Sequence, residues 1–208
     1  MIVDCAAAKE VSCIALTDHN SVGNCAFFKK YAEQTDLVLL FGMELTTSEE
    51  IHVLCLFDEL EKAEIFGKYV EERTPKIKND VQIFGNQILF NVDGTTSQYE
   101  NFLGNATDIS ITGLYPIVYG FGGVAIPAHI DKSYSSVTSV FGMLDRDMGF
   151  PIVEVFKDPS QADLCGIPYI QDSDSHDLEW FIDAPYRQIE VSERSAKAVL
   201  EKLRSYTL

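Results

Sequence analysis

The sequence predicts an α/β fold built around a mainly parallel sheet. The first observation is a series of short apolar runs of β type, at residues 12–16, 37–41, 51–57, 123–127, 151–155, 167–170 and 187–191. The second is that helix-type segments lie between several of these runs, which is the order of elements in α/β domains. The third is that runs such as 13–16 and 38–41 are almost continuously apolar, as in strands buried on both faces of a sheet.

Four segments have the pattern of helices. Residues 21–34 place apolar side chains at helical spacing, and residues 111–119 form a shorter segment that ends in the glycines of 120–123. Residues 59–72 are charged and are also predicted to be helical. After Ser192, a residue type that favours helix N-termini, four apolar side chains fall on one face: Ala196, Val199, Leu200 and Leu203.

Residues 58–108 interrupt the alternation of strands and helices, because this stretch is charged and polar. It contains the predicted helix 59–72, the run 87–91 and the dipeptide Asp93-Gly94, which is a hairpin signal. The length of 208 residues suits one domain with a substantial core. We therefore interpret residues 1–208 as a single domain in which residues 58–108 form an insertion or lid.

The charge of the chain limits its partners. With 32 acidic and 16 basic residues the net charge is −16, which predicts no stable binding of duplex nucleic acid, since such binding relies on basic side chains. A small phosphorylated substrate or a nucleotide remains compatible if bound cations reverse the local charge. The chain has no apolar run of about 18 residues and no secretory signal, so we expect a cytoplasmic protein without membrane contact.

The cysteines are scattered along the chain and odd in number: Cys5, Cys13, Cys25, Cys55 and Cys165. They form no CxxC pair, so a thiolate zinc site is disfavoured and reduced thiols are expected. Cys13 and Cys55 lie inside apolar runs and are predicted to act as small core side chains.

Side chains that can bind metals follow several of the predicted strands, at the point where each strand ends. They are His19, Glu44, His129, Asp174 and His176. The carboxyl ends of parallel strands meet on one face of an α/β fold, so these side chains are expected to converge there. His52 instead opens a predicted strand, and this argument does not place it. A mixture of imidazole and carboxylate ligands favours Zn, Mn or Fe over Ca or Mg.

Each of these residues also has a purely structural interpretation. A single histidine at a strand end is more often a hydrogen-bonded structural residue, and the Asp-Ser-Asp-Ser-His-Asp loop at 172–177 has the composition of a turn. Asp18 is a candidate carboxylate that orients the His19 imidazole without itself binding the metal. Lys132 is a candidate phosphate contact or an exposed loop residue. The metal interpretation therefore rests on the whole set, with all four histidines beside strand ends.

These motifs together resemble those of the PHP (polymerase and histidinol phosphatase) family. Residues 14–20, Ile-Ala-Leu-Thr-Asp-His-Asn, resemble its second motif, and residues 42–44, Gly-Met-Glu, resemble its bridging glutamate. Residues 126–129 and 173–176 resemble the third and fourth motifs, in the family's order and across nearly the whole chain. The resemblance implies a distorted (β/α)7 barrel with up to three Zn, Mn or Fe ions at the strand ends. It also implies that a metal-bound hydroxide, and no side-chain nucleophile, attacks a phosphate ester.

The resemblance implies a division of the ligands among the ions, in which Glu44 bridges two of them. The other ligands are His52 and His129 on one bridged ion, Asp174 on the other, and His19 and His176 on the third.

The family's first motif, an Asp-x-His-x-His segment on the first barrel strand, has no counterpart, because no histidine precedes His19. Residues 1–9 instead resemble the helix after that strand, so we expect a barrel that is incomplete at the N-terminus. We favour Met1 as an internal methionine of a longer protein; a truncation, or ligands from another chain, are the alternatives. We expect fewer than three ions, weak or absent hydrolysis, and homo-oligomers formed through the exposed barrel edge.

The leading functional interpretation is a stand-alone phosphoesterase that acts on a small phosphate monoester, a nucleotide or an oligonucleotide end. Histidinol-phosphate phosphatase is a second enzyme of the same fold. A degenerate, non-catalytic PHP module is the alternative of a different class. The absent first motif favours that module, whereas the retention of the later ligands opposes it.

Overall fold

The computed structural model describes residues 2–206. Along the chain its elements are α1 (Ile2–Ala8), β1 (Cys13–Leu16), α2 (Cys25–Ala32), β2 (Val38–Thr46), β3 (His52–Phe57), α3 (Leu60–Glu71), α4 (Val81–Phe84), β4 (Ile88–Phe90), β5 (Thr96–Gln98), α5 (Leu114–Gly120), β6 (Val124–Pro127), α6 (Val137–Phe141), β7 (Val153–Val155), β8 (Tyr169–Gln171), α7 (Leu178–Asp183) and α8 (Ala196–Ser205). The mixed α/β class is confirmed. No helix in this part of the chain combines the length and the apolar character that crossing a membrane requires.

The central sheet has four strands in the order β1-β2-β3-β6. β1 and β2 are parallel, but β3 runs antiparallel to both β2 and β6. The expectation of a mainly parallel sheet is therefore wrong at β3. β3 is antiparallel to β2 because only residues 47–51 join the two strands, whereas a parallel crossover needs about a dozen residues or more.

The remaining strands of the described chain form two small sheets. β4 and β5 pair antiparallel around Asp93 and Gly94, so the predicted hairpin is confirmed. β7 and β8 are parallel, and the Ile130 N–H at the end of β6 donates to the Glu154 carbonyl in β7, at 3.0 Å. Within residues 2–206 these sheets do not join into a closed barrel, so the (β/α)7 barrel is not confirmed.

The predicted helices are present but shorter than expected. α2 covers the middle of the predicted segment 21–34, and α3 and α5 lie within one residue or a few of their predicted bounds. α8 begins after Ser195, whose hydroxyl accepts the Ala198 N–H at 3.1 Å, and not after Ser192. α1 occupies the predicted N-terminal helix, of which Met1 lies outside the described residues.

Residues 187–191, predicted to be a strand, are irregular in the structure. The Arg187 N–H donates to the Gln171 carbonyl at 2.9 Å, but no strand ladder forms. Ile189 and Val191 pack against the core beneath α8. The apolar pattern of this segment therefore reflects burial against a helix and not strand pairing.

Both faces of the central sheet are covered. One face packs against α3 and α5 through side chains such as Met43, Phe57 and Phe66. The other face packs against α8. Cys55 is fully buried, as predicted, whereas Cys13 is partly buried, and burial raises the pKa of the Cys13 thiol to about 11. All five cysteines are free thiols.

Gly42 fixes the distance between β2 and β3. A Cβ atom at this position would lie 2.0 Å from the Cys55 carbonyl oxygen, so a side chain is excluded. The resulting register places Glu44 opposite Leu54 and Thr46 opposite His52. This close approach sets the position of two candidate ligands, Glu44 and His52.

Candidate metal centre

His19, Glu44 and His52 lie together at one edge of the central sheet. His19 continues the parallel pairing of β1 with β2, in a bridge with Glu44. His52 opens β3, and because β3 is antiparallel to β2 its start lies where β2 ends. The antiparallel strand therefore brings to this edge the histidine that the parallel model left unplaced.

The Glu44 carboxylate is the centre of the cluster, and its side chain is only 7% exposed. Its Oε2 atom lies 3.0 Å from Nδ1 of His19 and 3.2 Å from Nδ1 of His52. Its Oε1 atom lies 3.2 Å from Nε2 of His129, which follows β6. One carboxylate is thus surrounded by three imidazoles that come from the ends of three different strands.

The nitrogen and oxygen atoms of this cluster suit a metal ion better than mutual hydrogen bonding. The ligand atoms of His19, Glu44 and His52 all lie within 4.8 Å of one another. Nδ1 of His19 is buried without an aligned hydrogen-bond partner, although Glu44 is 3.0 Å away, and Nδ1 of His129 is also buried without one. Buried polar atoms are rarely left unpaired in native proteins, and imidazole with carboxylate is a donor set for Zn, Mn or Fe.

The electrostatics keep the Glu44 carboxylate ionised. Burial acts to raise its pKa, but contacts with His129, His19 and His52 outweigh burial and hold the pKa of Glu44 well below its usual range. The contact with Glu44 in turn raises the pKa of His19, against the opposing effect of burial. A buried, ionised carboxylate of this kind attracts cations strongly.

The residues of the fourth motif lie at the margin of the cluster. The ring centroids of His176 and His19 are 5.9 Å apart, and the His176 side chain is 67% exposed. Asp174 is nearly buried and forms an ion pair with Lys132. The Lys132 side chain is only 15% exposed, so its interpretation as an exposed loop residue is wrong. The structure therefore gathers three candidate ligands around Glu44 and places Asp174 and His176 beside them.

Two features of this geometry differ from the ligand pattern that the resemblance implies. His52 and His129 approach different oxygens of Glu44, although their facing nitrogens are 3.3 Å apart. His19 approaches the same oxygen as His52.

Asp18 has a different partner from the one expected. Its Oδ2 atom accepts a hydrogen bond from Nδ2 of Asn24 at 2.8 Å, and its carbonyl accepts the Glu44 N–H at 3.1 Å. Burial raises the pKa of the Asp18 carboxyl. Asp18 thus connects the end of β1 to β2 and to the start of α2.

Sequence reasoning missed Glu154, which lies in β7 and is 1% exposed. Its Oε2 atom accepts the His129 N–H at 3.0 Å, so it fixes the backbone of a candidate ligand. Burial raises the pKa of Glu154 well above its usual value, and the neighbouring Asp172, which shares a hydrogen bond with it, adds to the effect. The available signal was an acidic residue between two valines in a predicted strand.

Three residues around the site have left-handed backbone conformations: Asn20 at φ 47°, His129 at φ 32° and Asp174 at φ 39°. Such a conformation costs a non-glycine residue on the order of 1–3 kcal/mol and persists only where the surroundings impose it. At His129 the bond to Glu154 is one such restraint. At Asn20 the side chain accepts the Thr46 N–H at 2.9 Å. Strain of this kind concentrates at functional sites.

Residues 58–108 reach the site through two asparagines. Nδ2 of Asn20 donates to the carbonyls of Leu103 and Asn105, both at 2.8 Å. Oδ1 of Asn24 accepts the Phe90 N–H of the hairpin at 2.8 Å, while its Nδ2 holds Asp18. The β4–β5 hairpin is thereby connected to the loop that carries His19.

Solved structures of the same fold include two of endonuclease Q. One is a complex with a 27-mer duplex substrate that has an abasic lesion at the active site; its TM-score is 0.61 at 14% identity, over 98% of this chain and 50% of that chain. The other is the lesion-specific endonuclease of Pyrococcus furiosus, with a TM-score of 0.60 at 14% identity and the same coverage. The present chain therefore spans about half the length of these endonuclease Q chains.

A candidate metal-dependent phosphoesterase from Bifidobacterium adolescentis has the same fold over nearly its whole length. Its TM-score is 0.59 at 16% identity, over 100% of this chain and 90% of that chain. At these identities the likeness establishes the fold. No family model matches the sequence. No curated protein matches it either.

The likeness to endonuclease Q corrects one expectation. Net charge predicted that this chain does not bind duplex nucleic acid, yet a protein of the same fold is in complex with a 27-mer duplex substrate. The net charge sums the whole surface, whereas binding depends on the local field at the site and on any cations held there. The expectation that net charge excludes duplex substrates is therefore wrong.

Proposed function

We propose that this chain is a metal-dependent phosphoesterase of the PHP type, with a centre built on Glu44. The observation that carries the proposal is a buried, ionised carboxylate in contact with imidazoles from three strand ends. Glu44, His19 and His52 would hold one ion. His129 approaches the other oxygen of Glu44 and would hold a second ion there.

The remaining residues of the site support these ligands. Glu154 holds the backbone of His129, and Asp174 with His176 extends the ligand set beyond His19. We propose Zn, Mn or Fe as the metal, because the donors are imidazole and carboxylate. Bound there, a divalent cation supplies a Lewis acid for a phosphoryl oxygen and a water of lowered pKa.

Residues 58–108 are proposed to act as a lid over this centre within a single domain. The support is their attachment to the site through Asn20 and Asn24, on either side of the loop after His19. A lid at this position shields the reacting phosphate from bulk water and shapes the substrate pocket.

The proposed substrate is a phosphate ester: a small monoester, a nucleotide or an oligonucleotide end. A phosphodiester within a nucleic-acid duplex is the second candidate, favoured by the fold that 98% of this chain shares with half of the endonuclease Q chain. The three-histidine cluster around Glu44 opposes a degenerate module, since a decayed site loses its ligands one by one. No observation on the structure singles out histidinol phosphate.

The test is a panel of p-nitrophenyl phosphate, bis(p-nitrophenyl) phosphate and a duplex oligonucleotide with an abasic site. Each substrate is incubated with wild type and with Glu44→Gln, in Mn²⁺ and in chelator. Turnover that needs Mn²⁺ and is lost in Glu44→Gln supports the proposal, and the preferred substrate identifies the ester class. Turnover that survives the substitution contradicts the proposal, as does the absence of both ester turnover and Mn²⁺ binding. Weak turnover agrees with it, because the first motif has no counterpart in this chain.

A further inference from the structure

Lys132 forms the ion pair that neutralises Asp174. Its ammonium contacts Oδ2 of Asp174, and both side chains are largely shielded, at 15% and 11% exposure. The negative charges of Glu44 and Asp174 are close enough to act on the buried Glu154. Within residues 2–206, Lys132 is the one lysine or arginine that is ion-paired with any of these carboxyl groups.

The position of Lys132 is fixed from several sides. Its N–H donates to the His129 carbonyl at 2.9 Å, and its carbonyl accepts the hydroxyl of the fully buried Ser136 at 2.7 Å. The ammonium lies 4.3 Å from the centre of the Phe156 ring, in a cation–π contact. The Phe156 backbone is itself held, because its N–H donates to Asp131 at 2.7 Å. Lys132 is therefore built into the site and is not a mobile surface lysine.

A metal ion and this ammonium compete for the same carboxylate oxygen. To bind a metal through Oδ2, Asp174 must release Lys132, and the released ammonium must move out to water or remain buried without its partner. A metal at Oδ1 would instead be repelled by the ammonium held on the same carboxylate. A shielded charge that loses its partner carries a large free-energy penalty. In the part of the chain that the structure describes, no lysine or arginine is ion-paired with Glu44, whose side-chain contacts are with imidazoles.

We propose that the Lys132 ammonium is a resident cation that occupies the metal position at Asp174. The inference rests on the proposed metal centre and adds the order in which its positions bind metal ions. Ions bind first at Glu44, and a further ion at Asp174 binds weakly because it displaces Lys132. Where the ammonium stays in place, its N–H groups face the site as donors to an anionic substrate.

The experiment measures Mn²⁺ binding by equilibrium dialysis with metal analysis, for wild type and Lys132→Met. We expect Lys132→Met to bind one additional ion per chain, or to bind its weakest ion at least tenfold more tightly. Lys157→Met is the matched control, because Lys157 is exposed and lies over the same Phe156 ring, at 5.0 Å, without a carboxylate partner of its own in the site. It should bind Mn²⁺ as wild type does, and so should Lys132→Arg, which keeps the charge.

The gain in Lys132→Met should vanish when Asp174→Asn is added. Equal stoichiometry and affinity in wild type and folded Lys132→Met would overturn the inference, as would a gain that survives Asp174→Asn. Far-UV circular dichroism and the melting temperature establish folding, and Lys132→Arg covers the case in which Lys132→Met is unfolded. If wild type and Lys132→Met bind Mn²⁺ equally well, the inference about Lys132 fails but the proposed function stands. If wild type and all variants bind no metal, both proposals fail.

Discussion

Replacing Glu44 with glutamine removes the central charge of the candidate metal site while it keeps the shape of the side chain. Glu44 is ionised and contacts His19, His52 and His129 within 3.2 Å. A charge-assisted interaction contributes about 1.5–3 kcal/mol, so the substitution should weaken metal binding by about 10- to 150-fold. Packing should change little, because the amide has the size of the carboxylate.

The weaker binding is measurable as a loss of thermal stabilisation. A ligand at a hundred times its Kd stabilises the folded state by about 2.7 kcal/mol, and a ligand at its Kd by about 0.4 kcal/mol. For a chain of this size about 1 kcal/mol corresponds to about 2–4 °C in Tm. Wild type should therefore gain about 5–11 °C from Mn²⁺, and a variant with hundredfold weaker binding about 1–2 °C.

The assay is differential scanning fluorimetry of both proteins, with Mn²⁺ at a hundred times the Kd of wild type and with chelator. Glu61→Gln is the matched control, because it removes an exposed carboxylate on α3, which follows the end of β3 opposite to His52. The Tm of Glu61→Gln should rise with Mn²⁺ as much as that of wild type. An equal gain in Glu44→Gln and wild type would refute the assignment of Glu44 as the central ligand.

Three further predictions concern the frame of the site. In urea unfolding, Gly42→Ala should destabilise the protein by about 3 kcal/mol or prevent folding, because its Cβ would meet the Cys55 carbonyl. Gly120→Ala is the control, since open space surrounds Gly120, and it should be neutral or stabilising. Glu154→Leu should lower the free energy of unfolding in urea by about 1–3 kcal/mol, because it leaves the His129 N–H without its acceptor. Glu154→Gln keeps an acceptor and should lower it by less than about 1 kcal/mol. Equal losses in the two variants would contradict the role of that hydrogen bond. Asn24→Ala should speed hydrogen exchange in residues 88–98, and unchanged exchange would argue against this attachment of the hairpin.

The sequence was most informative about the order of elements and the ends of strands. Apolar runs placed β1, β2 and β6 within a residue or two at one or both ends, and the side chains after them led to His19, Glu44 and His129. These predictions succeed because burial imposes a repeating pattern that a single sequence records. Strand direction is not recorded in that pattern. The structure shows that β3 is antiparallel, and the short connection at 47–51 explains why.

The parts that the sequence did not predict depend on contacts between distant segments. Glu154 is separated from His129 by 25 positions, and the pairing of Lys132 with Asp174 spans 42 positions. An acidic residue in an apolar strand singles out Glu154 but does not reveal its partner, and a lysine in a loop is too common to single out Lys132. The strand predicted at 187–191 failed for a related reason, since burial against a helix and pairing in a sheet produce the same apolar run.

Anomalous diffraction from a crystal of this chain grown or soaked with Zn²⁺ tests directly whether the cluster around Glu44 binds metal. We expect an anomalous peak about 2.0–2.2 Å from an oxygen of Glu44 and from ring nitrogens of the histidines around it. A fully occupied zinc bound elsewhere, or no peak beside Glu44 at a saturating concentration, would contradict the claim that this cluster is a metal centre.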